Sequence, residues 1–305
     1  MVKPIQAIIK PKRLSPGDVV GIAAPAGPYE QEQFEKGIGI IRDMGFAVRV
    51  PEYLQQPKGF LAGSDEHRAS LLMDLFNDPK VDAIVCARGG YGSLRILERL
   101  DYDAIRANPK VFVGFSDVSA LHAAFAMRCG LVVFHGPMVI SLGKSGDNTR
   151  ASFLQAMTTD QPLELRPNTP SVIRPGKANG VLAGGNLATL CHLLGTPFAP
   201  IYNDTILVLE DITETPYKID RMLFQMILAG CFSSVNGVIL GSFKESGSYS
   251  EICDIVGTIF ADMHVPVMAG FDIGHDTENK TVPLGISATL DTEKGTLKYH
   301  ECATR

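Results

Sequence analysis

The chain contains 305 residues, 45% of them hydrophobic and 20% charged, and carries a formal net charge of −5. A chain of this length can bury the cores of two domains, and its composition is that of a globular protein, so disorder is not expected. Its basic residues are scattered rather than clustered, so the sequence predicts neither nucleic-acid binding nor attachment to an anionic membrane.

The N-terminal segment and the cysteines indicate a cytoplasmic protein. The segment MVKPIQAIIKPKRL has too short an apolar stretch for a signal-peptide core and continues into Lys10, Lys12 and Arg13. No apolar run approaches the roughly 18–20 residues of a membrane span. The six cysteines are dispersed, show no CxxC pair and lie mostly in apolar segments, as expected of buried thiols in a reducing compartment. Histidines and carboxylates show no metal-binding spacing, so no metal site is predicted.

The first half of the chain alternates apolar strands with helices. Strands are predicted in GDVVGIAAPA, FAVRVPEY, VDAIVCA, KVFVGF and LVVFHGP, and helices in QEQFEKGIGIIRDMG, SDEHRASLLMDLFNDP, SLRILERL and SDVSALHAAFAMRCG. Ser64 is the predicted N-cap of the second of these helices. This alternation is typical of a parallel sheet covered on both faces, where ligands bind beyond the carboxyl ends of the strands. The sequences RGGYG and GFSD both lie at such ends.

The amino-acid composition changes at residues 144–178. This segment is polar and rich in Pro and Gly on either side of one predicted helix at residues 151–158. We therefore predict a domain boundary there, with an N-terminal domain at residues 1–160 and a C-terminal domain at 175–305. The second half mixes helices with six predicted strands, which favours a compact barrel-like α/β domain. Those strands lie in GVLAGG, TILVLEDI, VNGVILGSF, VPVMAGF, TVPLGISATLD and TLKYHE.

Ser116, between a predicted strand and a predicted helix, has two interpretations. As a helix N-cap its hydroxyl would accept a backbone N–H and stabilise the helix by about 1 kcal/mol. The order of apolar strand, Gly114-Phe115-Ser116-Asp117 and helix is also that of a nucleophile elbow. The second glycine of the G-x-S-x-G motif is missing, so this short pattern alone does not decide between them.

The sequence RGGYG, residues 88–92, is either a flexible turn or a loop that directs backbone N–H groups at a ligand. The spacings of a phosphate-binding loop and of a dinucleotide fingerprint are absent. If Ser116 attacks a carbonyl, a glycine N–H of this loop and the Asp117 N–H could form an oxyanion hole.

A serine nucleophile needs a base and a group that orients it. Among seven histidines, His275 lies in a polar loop after a strand and His135 follows another strand, whereas the others fall in helices or near the terminus. Glu210 and Asp211 follow a run of apolar residues, so at least one carboxylate ends a buried strand. Such a carboxylate requires a partner, either in a catalytic site or in a salt bridge with Arg221 or Lys218.

Taken together, these segments resemble the serine LD-carboxypeptidases of peptidase family S66. The family includes muramoyltetrapeptide carboxypeptidases and microcin C immunity peptidases. The matching segments appear in family order from residue 14 to residue 285: LSPGDVVGIAAPAGP, FLAGSDEHRASLLMDLFNDPKVDAIVCARGGYG, GFSDVSALHAAF, HGPM, GGNLATL, LVLEDITETPYKIDRML and GHDTENKTVPLG.

The resemblance implies a Ser–His–Glu triad in which Ser116 is the nucleophile, His275 the base and Glu210 the acid. It also implies oxyanion-hole N–H groups at Gly90 and Asp117, and a site shared between a flavodoxin-like N-terminal domain and a swivelling, β-barrel-like C-terminal domain. A homodimer without metal or organic cofactor is expected.

The implied substrate is a cytoplasmic muropeptide tetrapeptide, from which the enzyme releases D-Ala bound to meso-diaminopimelate. Its charged ends need charged or hydrogen-bonding partners. Arg88, Gly89 and Glu214 are the candidates.

Three alternatives remain from the sequence. A microcin C-type peptidyl-nucleotide hydrolase would have to hold a base, commonly by aromatic stacking, and the chain contains no Trp. A peptide-binding relative without catalysis would not need a serine, a base and a carboxylate together. A glutaminase-like amidotransferase would need a cysteine where residue 116 is serine.

Overall fold

The computed structural model of the chain describes residues 7–305. The first six residues lie outside the described residues. They include the start of the predicted N-terminal domain and part of the N-terminal segment whose apolar stretch was too short for a signal peptide. Within residues 7–305 no helix combines the length and apolar character needed to cross a membrane.

The described chain contains two β-sheets with helices between and around the strands. The strands are β1 Val19–Ala23, β2 Ala47–Arg49, β3 Ala83–Cys86, β4 Val111–Gly114, β5 Val133–His135, β6 Glu164–Leu165, β7 Ser171–Arg174, β8 Lys177–Asn186, β9 Thr205–Ile212, β10 Val235–Lys244, β11 Val267–Ala269, β12 Val282–Leu284, β13 Ser287–Asp291 and β14 Thr296–Tyr299. The α-helices are α1 Gln31–Asp43, α2 Asp65–Asn77, α3 Ser93–Ile96, α4 Tyr102–Ala107, α5 Ser119–Cys129, α6 Val139–Leu142, α7 Asp147–Thr158, α8 Leu187–Cys191, α9 Pro216–Leu228 and α10 Tyr249–Ile259. Three short 3-10 helices complete them, at Leu97–Arg99, Ser116–Val118 and Ala261–Met263.

The first unit contains a six-stranded sheet in the order β12-β5-β4-β3-β1-β2. All pairings from β5 to β2 are parallel. Residues of β3, β4 and β5 are entirely buried, because α2 packs on β1 and α5 on β5. The order 2-1-3-4-5 is that of flavodoxin, in which the direction of winding reverses between β1 and β3.

The second unit contains an eight-stranded mixed sheet in the order β6-β14-β13-β8-β9-β10-β11-β7. The four central strands, β8 to β11, run parallel, and antiparallel strands flank them on both sides. The central strand β9 is buried from Thr205 to Asp211, so its charged end stands in the core of this unit. The two-sheet α/β architecture agrees with the sequence prediction.

The predicted helix N-cap is confirmed and the six cysteines include buried thiols. Ser64 accepts the His67 N–H at 3.2 Å and so satisfies one N–H of the first turn of α2. The thiols of Cys86, Cys129, Cys191 and Cys231 are buried, and burial raises the pKa of the Cys129 thiol to about 12.

Two sequence predictions about segment boundaries were wrong. The segment TVPLGISATLD, predicted as one strand, forms β12 and β13 in different sheets, because Gly285 has a φ of +98° and turns the chain between them. Residues 175–305 are not one continuous domain, since Thr281–Pro283 and Ala303–Arg305 belong to the first unit, which otherwise ends at Asp160. β12 is an edge strand of the first sheet, and the Arg305 carbonyl accepts the Arg13 N–H at 3.0 Å.

Candidate active site

The backbone at Ser116 is strained. Ser116 follows β4 and has a φ of +62°, in the left-handed region that non-glycine residues rarely adopt. Such a conformation costs about 1–3 kcal/mol and occurs where the surrounding structure enforces it, often at active sites. A sharp turn of this kind between strand and helix is the geometry of a nucleophile elbow.

The structure does not support the helix-cap interpretation of Ser116. The residue that precedes the 3-10 helix is Phe115 and the residue that precedes α5 is Val118, and neither position carries a side-chain capping hydrogen bond. Ser116 is instead the first residue of the 3-10 helix.

The missing glycine of the elbow motif is also explained. A Cβ built on Gly114 would lie 2.5 Å from a methyl group of Val118, the residue at the position of the motif's second glycine. Gly114 therefore makes room for Val118, and the turn packs tightly with only one glycine.

The glycine-rich loop after β3 approaches the Ser116 side chain. A Cβ built on Gly89 would lie 3.1 Å from Ser116 Oγ, so only a glycine leaves the hydroxyl uncrowded there. Gly90 has a φ of +100° and Gly92 a φ of +138°. The Gly27 N–H, in the loop after β1, donates to the Gly89 carbonyl at 2.9 Å and holds the loop in place. The expected spatial proximity of RGGYG and GFSD within one sheet is present.

The side chain of Asp117 links this loop to the elbow, a role that the sequence did not predict. Its Oδ2 accepts the Ser93 N–H at 2.8 Å, just beyond Gly92. Burial raises the pKa of Asp117, while hydrogen bonds from Ser93 and Gly92 and the charge of Arg68 oppose the rise.

Arg68 is a second buried anchor that sequence reasoning missed. Its guanidinium donates to the carbonyls of Gly92 at 2.8 Å, Gly63 at 3.2 Å and Pro25, and pairs with Asp65 at 2.6 Å. It therefore joins the loops after β1 and β3. The available clue was its position on the stripe of α2 that also holds Leu72, Leu75 and Phe76, where a charged residue is unusual.

Arg88, a candidate substrate-binding residue of the glycine-rich loop after β3, is exposed. Its Nη1 donates to the Pro28 carbonyl at 2.6 Å, which orients the guanidinium without burying it. Because a guanidinium has five N–H donors, the remaining N–H groups of Arg88 can still bind a ligand.

In the second unit the buried Glu210 and the half-buried His275 form a pair. Glu210 lies near the end of β9 with its side chain fully buried, and its Oε2 is 2.6 Å from His275 Nδ1. Burial by itself lowers the pKa of His275, but the negative charge and hydrogen bond of Glu210 outweigh it, and the pKa is raised above its usual value. A carboxylate on Nδ1 fixes the tautomer that leaves Nε2 as the proton acceptor.

Three residues hold this pair, and none was named from the sequence. A Cβ on Gly274 would lie 2.3 Å from Glu210 Oε2, and the Gly274 N–H donates to Asn279 Oδ1 at 3.0 Å. The His275 N–H donates to Ser242 Oγ at 3.0 Å, next to an irregularity in the register of β10. Hydrogen bonds to polar residues on other segments could not be read from local sequence.

The neighbouring carboxylates have other partners. Asp211 accepts from Asn186 Nδ2 at 2.9 Å and from the Ala188 N–H at 2.8 Å, at the start of α8. Burial and the charge of Glu210 raise its pKa to about 6. Glu214 pairs with Lys218 at 3.2 Å. Lys218 therefore pairs with Glu214, in the loop before α9, and not with Glu210 or Asp211 as the alternative interpretation expected.

His135 lies in a different environment. Its ring is fully buried beside the rings of Phe115, at a centroid distance of 5.9 Å, and His122, at 6.4 Å. Burial also lowers the pKa of His122 well below its usual value. This histidine pair belongs to the core of the first unit.

Comparisons with known proteins agree with these two units. The LD-carboxypeptidase N-terminal domain of peptidase family S66 matches residues 20–136, and the corresponding C-terminal domain matches residues 179–290. The chain belongs to the S66 LD-carboxypeptidase family. It is accordingly a serine-type carboxypeptidase, a hydrolase.

Relatives include both branches named from the sequence. The "Probable murein peptide carboxypeptidase" of Bacillus subtilis is 37% identical, with 94% of this chain and 93% of the relative covered. The microcin C7 self-immunity protein MccF of Escherichia coli is 29% identical over 94% of each chain. The crystal structure of a muramoyltetrapeptide carboxypeptidase from Oxalobacter formigenes is 28% identical with a TM-score of 0.82, covering 92% of this chain and 97% of that one.

Proposed function

We propose that this S66 enzyme releases the terminal D-Ala of meso-diaminopimelate-containing tetrapeptides through a triad of Ser116, His275 and Glu210. The observation that carries the proposal is the Glu210–His275 pair, whose 2.6 Å contact suits a base that is oriented and stabilised when protonated. The strained φ of Ser116 supports its role as nucleophile.

In the proposed acylation step, Ser116 Oγ bonds to the carbonyl carbon of the L-centre while its proton passes to His275 Nε2. The resulting tetrahedral oxyanion accepts hydrogen bonds from the backbone N–H groups of Gly90 and Asp117. Collapse breaks the C–N bond, and His275 returns its proton to the amine of the departing D-Ala. Water then attacks the ester carbonyl carbon while its proton passes to His275. Collapse breaks the bond between that carbon and Ser116 Oγ, His275 returns the proton to Oγ, and the free peptide acid leaves.

The candidate substrate contacts remain Arg88, Gly89 and Glu214. The exposed Arg88 guanidinium is suited to a carboxylate of the peptide, and Glu214, partly neutralised by Lys218, is suited to an ammonium group. Gly89 leaves space for the substrate beside Ser116 Oγ.

A direct assay tests the proposed function. Purified protein is incubated with L-Ala-γ-D-Glu-meso-diaminopimelate-D-Ala, and released D-Ala is quantified for wild type, Ser116→Ala and the control Ser141→Ala on helix α6. We expect release by wild type and by the control and loss of release in Ser116→Ala. Absence of release by wild type, or equal release by Ser116→Ala, contradicts the proposal.

A peptidyl-nucleotide hydrolase is the second candidate, because MccF is among the relatives and one solved MccF structure holds aspartyl sulfamoyl adenosine at a TM-score of 0.90. The same protein preparations are given an aspartyl adenylate amide, and released nucleotide is measured. Cleavage of this compound at a higher kcat/KM than the tetrapeptide would favour the second candidate.

A cytoplasmic homodimer is the proposed state of the enzyme. The dimer comes from the family resemblance and the cytoplasmic location from the N-terminal segment and the cysteines; recycling of imported muropeptides fits an enzyme in that compartment. Light scattering on the purified chain should give twice the 32.9 kDa chain mass, and a monomeric mass at micromolar concentration contradicts the dimer.

A further inference from the structure

Two exposed aromatic side chains lie close together, Tyr91 in the glycine-rich segment and Phe60 on a neighbouring turn. The rings of Phe60 and Tyr91 are 5.6 Å apart between centroids and tilted by 57°. Phe60 is 67% exposed and Tyr91 44% exposed. Large apolar side chains that contact each other at the surface, outside the core, often mark a binding site.

Phe60 is held at the tip of a tight turn. Lys58 and Leu61 exchange backbone hydrogen bonds of 2.9 and 3.2 Å across the turn, and Gly59 takes a positive φ of +61°. The Ala62 N–H donates to the Ala26 carbonyl at 2.9 Å, so the turn is attached to the loop after β1. A well-anchored turn that points a phenyl ring into solvent is costly without a ligand to cover the ring.

The loop that carries Tyr91 is held by its neighbours. Tyr91 lies between Gly90 and Gly92, and a Cβ built on Gly92 would lie 2.8 Å from the inward-facing Leu61 of the same turn. Four residues after Tyr91, the Arg95 side chain forms a two-point pair with Asp65, with contacts of 2.8 and 2.9 Å. The turn that carries Phe60 and the loop that carries Tyr91 are therefore both held in place before a ligand binds.

The pair lies within reach of the scissile bond. Tyr91 follows Gly89 by two residues, so their Cα atoms are at most about 7.6 Å apart, and the side-chain direction of Gly89 points to Ser116 Oγ at 3.1 Å. A peptide spans at most about 3.6 Å per residue. The Tyr91 backbone is therefore near the proposed nucleophile, so a substrate held at Ser116 can place a nearby side chain on the aromatic pair.

We propose that Phe60 and Tyr91 form a subsite for the aliphatic side chain of the residue that supplies the cleaved carbonyl. The tilt of 57° prevents both rings from lying flat on one planar base, whereas a chain of methylene groups contacts both faces of such a wedge. The departing D-Ala offers a single methyl group, so the longer chain belongs to the acyl side. This inference rests on the proposed function and specifies its substrate.

The kinetic test varies only that side chain. Tetrapeptides L-Ala-γ-D-Glu-X-D-Ala, with X as meso-diaminopimelate, L-norleucine or L-Ala, are compared on wild type, Phe60→Ala, Phe60→Leu, Tyr91→Ala and the control Phe224→Ala on helix α9. In wild type and the control we expect the norleucine peptide to exceed the alanine peptide by about 10- to 100-fold in kcat/KM. Phe60→Ala and Tyr91→Ala should bring this ratio close to one, and Phe60→Leu should keep part of it. An equal loss on every peptide, with the ratio unchanged, means that the rings act only on the loop and overturns the subsite.

A binding test separates this inference from catalysis. The chain contains no Trp, so Phe60→Trp in a Ser116→Ala background carries a single tryptophan at the subsite. We expect the norleucine and diaminopimelate peptides to shift its emission to shorter wavelength and the alanine peptide to shift it less, with no shift in a Phe224→Trp control. A shift without D-Ala release by the wild type would refute the proposed reaction and retain the subsite; no shift with any peptide would refute the subsite.

Discussion

The Ser116 elbow of the first unit and the Glu210–His275 pair of the second are held by different means. At the elbow the geometry comes mainly from the backbone: a positive φ at Ser116, glycines at positions 89, 90, 92 and 114, and main-chain hydrogen bonds between loops. The side chains of Asp117 and Arg68 anchor this backbone. At the pair it comes from side chains: a buried carboxylate, an imidazole and the polar groups of Ser242 and Asn279.

This difference suits the chemistry proposed for each region. A nucleophile flanked by N–H donors needs close approach of the main chain, which only glycine permits without steric conflict. A base needs a shifted pKa, which requires a charge close by in a buried environment. Substitutions in the two regions should therefore reduce activity for different reasons, through the main chain at the elbow and through the electrostatics of the base at the pair.

The largest effect is expected from Glu210→Gln. The variant keeps the shape of the side chain but removes the charge that raises the pKa of His275, so kcat should fall by about 10²–10⁴-fold. In wild type the rate should fall on the acid side as His275 becomes protonated, at a pH above the usual histidine value. In Glu210→Gln this acid limb should move to lower pH, because the pKa of His275 drops. A pH profile of kcat/KM checks both; an unmoved acid limb would show that Glu210 does not set the pKa of the base.

Gly274→Ala should disrupt the same pair sterically. Its Cβ would fall 2.3 Å from Glu210 Oε2, so the carboxylate must move away from His275, and we expect about a 10²-fold loss of kcat. The matched control is Gly295→Ala, at a positive φ of +62° with no atom within 4 Å of the new Cβ. Both variants carry backbone strain, and only the first should lose activity; similar losses in both would contradict a specific clash.

Asp117→Ala tests the side-chain connection on the first unit. The Ser93 N–H would lose its buried acceptor, at a cost of about 1–3 kcal/mol, and the glycine-rich loop its attachment to the elbow. We expect kcat and kcat/KM to fall together by about 10-fold or more, since the oxyanion donor proposed for this loop is needed only in the transition state. Asp117→Asn, which keeps one acceptor oxygen, should recover part of the loss. A rise in KM at constant kcat would indicate ground-state binding instead.

The smallest effect concerns stability. Glycine adopts the φ of +62° at residue 116 without strain, so Ser116→Gly should be more stable than Ser116→Ala by about 1 kcal/mol, although both are inactive. Urea unfolding of the two variants measures the difference. Equal midpoints would mean that the elbow stores no backbone strain.

Much of the fold could be predicted from local patterns. The alternation of apolar strands and helices up to residue 136 predicted the parallel sheet, and Ser64 was predicted to cap α2. The division of TVPLGISATLD between two sheets could not be predicted, because both strands are apolar and only their partners differ. The same limit applies to β6 and β7, which lie in a segment interpreted as a linker and pair only with distant strands.

The sequence by itself determined the candidate residues: a serine between strand and helix, a carboxylate at the end of an apolar run and a histidine in a polar loop, in family order. The tertiary structure decided which carboxylate contacts the histidine, since Glu210 and Asp211 are adjacent and point to His275 and to α8 respectively. It also decided that Ser116 is a strained elbow rather than a cap, and that Phe60 and Tyr91 form one surface. Side-chain types and short spacings are local properties, whereas a φ angle imposed by packing and a contact across 65 residues depend on the folded chain.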